Sequence, residues 1–155
     1  MQKIKIVCIG SIKDKFYIDA IAEYKKRLSK YCDFEIVELP EVLPLSRCNE
    51  SQIKDKEAEE IVKVLTGFVV VMDLRGNELS SEDLAELIKE RAIQSDSKVT
   101  FVIGGSLGLG DEVLKRANLK IRVGKMTFPH QLMRVMLTEQ IYRAETIINN
   151  VKYHK

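Results

Sequence analysis

Apolar and polar positions along the chain fall into alternating strand-like and helix-like periods. Ile4 to Ile9 is a short apolar run ending at Gly10, the pattern of a buried strand. From Phe16 to Leu28 the apolar residues Phe16, Ile18, Ala20, Ile21, Tyr24 and Leu28 recur close to helical spacing. Phe34 to Leu39 alternates and then meets Pro40, a strand followed by a break. Pro40 to Asn49 holds two prolines, Pro40 and Pro44, and predicts a loop. Asn49 with Gln52 has the spacing of a helix cap, opening a helix toward Leu65. Phe68 to Leu74 is β-branched and apolar, the signature of a central strand, after which Gly76-Asn77 is expected to turn the chain. Ser80 and Asp83 repeat the capping spacing ahead of a helix reaching toward Gln94, and Val99 to Ile103 is another buried strand. There follow a glycine-rich loop, a short helix over Asp111 to Ala117, a strand over Leu119 to Val123, and a loop from Gly124 to Pro129. The longest helix then runs from His130 toward Asn149, and a polar tail, Val151 to Lys155, closes the chain.

This order predicts an α/β fold: a mostly parallel sheet flanked by helices, forming one domain over residues 1–155. No apolar run approaches the roughly 18 residues that a membrane span needs. The N-terminal apolar stretch is strand-length, too short for a signal peptide, so a cytoplasmic location is expected. Cys8, Cys32 and Cys48 fit no zinc spacing and leave an odd count, which points to reduced thiols, no disulfide framework and no metal site.

The net charge of +2 says little, but its distribution says more. From Val113 onward there are nine cations, Lys115, Arg116, Lys120, Arg122, Lys125, Arg134, Arg143, Lys152 and Lys155, opposed only by Glu139 and Glu145. That stretch carries +7 while the rest of the chain carries −5. Such asymmetry suits a polyanion partner, because Lys and Arg neutralise phosphates and release counterions; a solvated basic surface is the plainer explanation.

In open parallel sheets ligands bind beyond the carboxyl ends of the strands. Met72-Asp73-Leu74, Gly104 to Gly110 and Gly124 to Pro129 fall there. The glycine loop matches neither the dinucleotide fingerprint nor a P-loop, yet it allows close backbone approach to a flat ligand. Gly124 to Pro129 mixes small, polar and apolar residues, enough for an adenine pocket or for a plain helix entry. The apolar stripe on the last helix, Met133 to Ile148, suits a core or a dimer seam better than a ligand box. Glu139 and Arg143 are spaced for a surface ion pair, and Arg134 and Arg143 could hold phosphates. His130 opens the last helix, where capping or packing competes with a direct role. Tyr153-His154, flanked by lysines, is a base-stacking and proton-handling element if the tail is ordered.

The run Lys125-Met-Thr-Phe-Pro-His130-Gln-Leu-Met-Arg134, continuing Glu139-Gln-Ile-Tyr142-Arg143-Ala144 and closing Tyr153-His154-Lys155, resembles the RlmH family. These are rRNA pseudouridine-N3 methyltransferases of the SPOUT superfamily. Gly104-Gly105-Ser106-x-Gly108-Leu109, the opening Ile6-Val7-x-Ile9-Gly10 and Lys56-Glu57-Ala58-Glu59 match as well, so the likeness spans the chain. It implies a C-terminal trefoil knot, a homodimer, S-adenosylmethionine as methyl donor without a metal, and a pseudouridine at position 1915 of 23S rRNA in the assembled ribosome as substrate. Carried over by position, Met72, Gly104, Gly105, Gly124, Lys125, Met126, Thr127, Phe128 and Pro129 would hold the donor. His130, Arg134 and Tyr142 would face the RNA, and Arg143, Tyr153 and His154 would be catalytic. His154, or a water held by it, would take the N3 proton; Arg143 would stabilise charge on the uracil carbonyls or grip a phosphate; Tyr153 would stack on the base. Arg122-Val123-Gly124 departs from the Ser-x-Ser frequent in the family, which removes any serine hydroxyl contact. The competing readings are a non-catalytic RNA- or ribosome-binding α/β module, with the same basic surface and no methyl transfer, and a flavin or nucleotide module.

Overall fold

The computed structural model describes residues 1–42 and 48–155, so residues 43–47 of the expected loop lie outside the described residues. Five strands and five helices follow one another: β1 (Lys3–Ile9), α1 (Lys15–Leu28), β2 (Asp33–Leu39), α2 (Glu50–Val62), β3 (Phe68–Glu78), α3 (Ser81–Ala92), β4 (Val99–Ile103), α4 (Asp111–Arg116), β5 (Leu119–Arg122) and α5 (His130–Ile148). The strands form one sheet in the order β2-β1-β4-β3-β5, and every pairing in it is parallel. Parallel strands need crossovers, and the intervening helices supply them.

The period of two in the strands decides which face each side chain takes. Ile4, Ile6, Cys8, Val70, Phe101 and Ile103 pack into one core with Leu28, Leu84, Ile88, Leu137 and Ile141 of α1, α3 and α5. Val7, Ile9, Val69, Val71 and Val102 face the other way, onto Ala58 and Ile61 of α2 and Val113 of α4. Each fully buried aliphatic side chain contributes about 1.5–3 kcal/mol. Both expected caps form: Asn49 with Gln52 and Ser80 with Asp83 are reciprocal capping boxes. Among the described residues no helix is long and apolar enough to cross a membrane.

Gly76-Asn77 does not turn the chain. β3 continues to Glu78, with a register irregularity against β5 between Met72 and Asn77. A Cβ on Gly76 would lie 2.6 Å from the Ile121 backbone nitrogen, so the glycine marks a close strand approach rather than a reversal. The bend is held locally, because the Arg75 backbone N–H and side chain both donate to Asp73.

The second correction concerns Arg134, expected beside Arg143 as a phosphate ligand. It is 2% exposed. Its Nη1 donates to Glu38 Oε2 at 2.9 Å and its Nη2 to the Ile9 carbonyl at 2.6 Å. The cation therefore ties the first turns of α5 to the ends of β1 and β2. A buried guanidinium needs such partners, and the carboxyl end of a parallel strand offers them.

Further along α5, Glu145 is 5% exposed, and burial pushes its carboxyl up to about 7 from an ordinary 4.5. Between those values the folded protein keeps a proton that the unfolded chain has released. Stability contributed at this position thus falls as pH rises from 4.5 toward 7, and the cost is complete above 7.

Two outcomes are expected. Arg134→Met strands the Ile9 carbonyl and leaves Glu38 to the Ile12 N–H and solvent, lowering stability by about 1–3 kcal/mol, read as a lower urea midpoint at unchanged slope. Glu145→Gln gains about 1–3 kcal/mol over the parent at pH 8, and the gain shrinks toward zero at pH 4. An equal gain at both pH values would refute a charged Glu145 in the core.

Candidate active site

β3, β4 and β5 are neighbours, so the segments leaving their carboxyl ends converge. They enclose a cavity of about 600 Å³, within the range of small-molecule sites. Met72, Asp73 and Leu74 form one wall, the Gly104–Leu109 loop a second, and Ile121–Gly124 with Met126, Thr127 and Phe128 a third. His130 and Met133 of α5 and Lys54 of α2 complete it. The lining is largely apolar.

The glycine loop is shaped by contacts that admit no side chain. A Cβ on Gly104 would lie 3.0 Å from the Gly108 backbone, and one on Gly105 would lie 2.9 Å from Glu57 Oε1. Gly108 has φ +84°, a left-handed conformation that favours glycine. Glu57 supports this loop from α2: it is 6% exposed, and burial raises its carboxyl, offset in part by the Val42 backbone N–H.

A second cavity of about 410 Å³ lies between α3 and α5 and shares Met72, Ile121, Arg122 and Val123 with the first. Glu139 lines it. Glu139 is also the hub of the C-terminal tail. Its Oε1 accepts from Arg143 Nε at 3.1 Å, Arg143 Nη2 at 2.6 Å and Tyr153 Oη at 3.0 Å. Arg143 Nη1 lies 3.2 Å from His154 Nδ1, and His154 Nε2 lies 2.6 Å from Glu82 Oε1. The Arg143 guanidinium stands 4.7 Å from the centre of the Tyr153 ring, which packs edge-on against Tyr142. Burial, then Glu139, pushes the Tyr153 phenol up to about 12, so it keeps its proton and serves as a donor.

The tail is brought there by the end of α5. Asn150 has φ +55°, its N–H donates to the Ile147 carbonyl, and the Val151 N–H donates to that of Thr146. This is a Schellman turn, in which one left-handed residue reverses the chain after a helix.

Most expected donor-site residues therefore meet in one cavity: Met72, Gly104, Gly105, Gly124, Met126, Thr127 and Phe128. Lys125 and Pro129 are exposed and absent from its wall; Pro129 instead caps α5, its carbonyl accepting from Met133. His130, expected to face RNA, is exposed and lies in the same wall. Tyr142, expected to face RNA, is 8% exposed and buried among Tyr24, Tyr31 and Tyr153. Arg143, Tyr153 and His154 do come together. The sequence points to neither Glu82 nor Lys54, gives Glu57 no role beyond the Lys56-Glu57-Ala58-Glu59 match, and hides the central place of Glu139, which is a half-buried hub rather than one end of a surface pair. The capping spacing at Ser80 placed Glu82 in a first helical turn, but no local signal brings that turn to the tail.

A family model described as predicted SPOUT methyltransferase matches residues 2–154. A Clostridium perfringens protein, ribosomal RNA large subunit methyltransferase H 1, is 50% identical over 99% of this chain and 100% of its own length. Proteins named ribosomal RNA large subunit methyltransferase H from Limosilactobacillus reuteri and Caldicellulosiruptor saccharolyticus are 48% and 47% identical, covering 99% and 98% of this chain and 100% and 99% of their own. Among solved structures, a probable methylase family protein from Haemophilus influenzae superposes with a TM-score of 0.55 at 18% identity, over 98% of this chain and 70% of that one, a likeness of fold.

Gly105→Ala should cost about 1–3 kcal/mol through its collision with Glu57. Adding Glu57→Ala should make the double variant more stable than the two separate losses predict, by about 1 kcal/mol. Strict additivity in urea unfolding would show that Glu57 does not set the loop.

Proposed function

The chain belongs to the SPOUT methyltransferase family, and from that premise we propose that it moves a methyl group from S-adenosylmethionine to N3 of a pseudouridine in 23S rRNA of the assembled ribosome. The relatives' names supply the class of RNA. The observation that carries the reading is the shared wall: the glycine-lined cavity meets, at Met72, Ile121 and Val123, a second cavity lined by Glu139, whose carboxylate holds Arg143 and Tyr153.

The first cavity fits the methyl donor. Its apolar walls suit an adenine, and the crowded Gly104 and Gly105 put backbone where a side chain would stand. Met72, Gly104, Gly105, Gly124, Met126, Thr127 and Phe128 would hold it. When bound, the donor supplies a methyl group already activated on a sulfonium. The chain's own residues then position, exclude water and stabilise charge. Arg143 has N–H groups left over after Glu139 and His154, and these would stabilise the anion that develops on the uracil carbonyls as the imide loses its proton. Tyr153 keeps its phenolic proton and so orients or stacks instead of acting as a base. His154 has both ring nitrogens engaged in this arrangement, so the imide proton passes to water rather than to the ring.

Phosphate contacts fall to the exposed Lys115, Arg116, Lys120, Lys125, Lys152 and Lys155, because Arg134 is buried and Arg122 and Arg143 face carboxylates. We further take the chain to act in the cytoplasm as one SPOUT domain over residues 1–155, knotted in its C-terminal part, and as a homodimer. The exposed apolar Val123 and Met126 beside the cavities are surfaces that a partner subunit would cover.

Purified protein incubated with methyl-tritiated S-adenosylmethionine and ribosomes from a strain lacking the modification should yield label in N3-methylpseudouridine, with ribosomes preferred over free rRNA. Neither label nor S-adenosylmethionine binding would overturn the proposal and favour a non-catalytic RNA-binding module.

A further inference from the structure

We propose that Glu82 is a positioning residue of this site: it fixes the ring of His154 so that His154 in turn aims Arg143, an inference that rests on the methyl-transfer reading above for its functional consequence. A guanidinium has five N–H groups and no acceptor, so the 3.2 Å contact with Arg143 Nη1 makes His154 Nδ1 the acceptor. The other ring nitrogen, Nε2, must then carry the proton and donate to Glu82 Oε1 at 2.6 Å. The two contacts agree on one neutral tautomer, and neither leaves the ring free to rotate. The carboxyl of Glu82 is held below its ordinary range, first by this hydrogen bond and then by backbone N–H at the start of α3.

The relay runs in both directions across the tail. On one side Glu139 Oε1 takes Nε and Nη2 of Arg143; on the other, His154 takes Nη1. The guanidinium is thus gripped on all three nitrogens, with one N–H on each terminal nitrogen left for an incoming acceptor. Glu139 alone would leave Nη1 unrestrained. His154 without Glu82 would follow a tail held by the turn at Asn150 and by Tyr153 on Glu139, with its own ring tethered on one side alone. Glu82 makes the difference because it stands on α3, an element capped by its own Ser80–Asp83 box and packed against α5. It ties the tail to the scaffold across 72 positions of sequence. Its side chain is 63% exposed, and the reciprocal Ser80–Asp83 box that caps α3 stands without it, so replacing it leaves the core untouched.

The chain has two histidines, so the ring nitrogens can be read directly. Two-bond proton–nitrogen spectra of the protein without ligand, with His130→Gln for assignment, should show His154 as a single Nε2–H tautomer. Glu82→Ala should move its nitrogen shifts toward a tautomer average. It should also lower kcat about tenfold or more at unchanged S-adenosylmethionine affinity. Glu82→Gln keeps an oxygen acceptor and should restore both readings. Wild-type nitrogen shifts in Glu82→Ala, or an unchanged kcat, would overturn the proposal. If the parent protein transfers no methyl group, the function falls, while the spectra still decide whether Glu82 holds the ring.

Discussion

The whole arrangement hangs on one buried cation at the ends of two strands. Parallel strands all finish on the same edge, and there their last carbonyls run out of partners. Arg134 meets that edge from α5, donating to the Ile9 carbonyl and to Glu38. This fixes more than a helix. The start of α5 is pinned where His130 and Met133 wall the glycine-lined cavity, and its far end delivers the turn at Asn150. One buried guanidinium, paired with a carboxylate that reaches solvent, therefore sets the distance between the two halves of the site. An apolar residue of similar size could stabilise the core equally well, but it could not choose the carbonyl of Ile9.

With α5 fixed, the functional geometry follows from short local rules. The glycine loop is a backbone surface, because Gly108, Leu109 and Glu57 exclude side chains from it. The tail is a side-chain surface, because an Asn in the left-handed region turns Tyr153 and His154 back onto Glu139 and Arg143. These suit the two partners of a transfer between a small donor and a polyanion. The donor side offers apolar walls and close backbone; the acceptor side offers a guanidinium already aligned by two hydrogen-bond acceptors. Alignment before binding matters because it removes the cost of ordering a long, flexible side chain at the moment it is needed.

The fold was largely legible. Periods of two and of 3.6 residues locate the elements, and the caps at Asn49 and Ser80 form as their spacing predicts. The site was legible where it is made of loops at strand ends, since topology alone brings Met72, Gly105 and Phe128 together. It was not legible where burial contradicts residue type. An arginine on a helix reads as surface, and nothing adjacent to Arg134 shows that a strand end waits for it. Tyr142 likewise reads as an accessible aromatic until Tyr24 and Tyr31, both on or next to α1, enclose it. Gly76 reads as a turn because glycine serves turns and close strand contacts alike, and only the position of β5 distinguishes them. Glu82 has no sequence signal at all, since its partner is 72 residues away.

The departure at Arg122-Val123-Gly124 shows how such a site can absorb change. Where the family resemblance leads one to expect serines, this chain places Arg122 with Nη1 3.5 Å from the Leu74 carbonyl and Nε 3.4 Å from Glu78. Both contacts are long, and Nε finds no hydrogen bond, so the guanidinium does not reproduce a serine's short directional donor. Yet the same three residues still line the first cavity, and Arg122, the last residue of β5, is held by backbone pairing with β3 just before the other two. A wall built from main chain tolerates exchange of the side chains on it, provided their bulk points elsewhere. The side-chain cluster has no such freedom. Glu139 and His154 each reach Arg143 through side-chain atoms at 2.6–3.2 Å, and a shorter group at any of the three breaks the alignment. The first cavity keeps its outline through strand pairing and a glycine loop, whereas the Glu139–Arg143–His154 cluster exists only through its side chains.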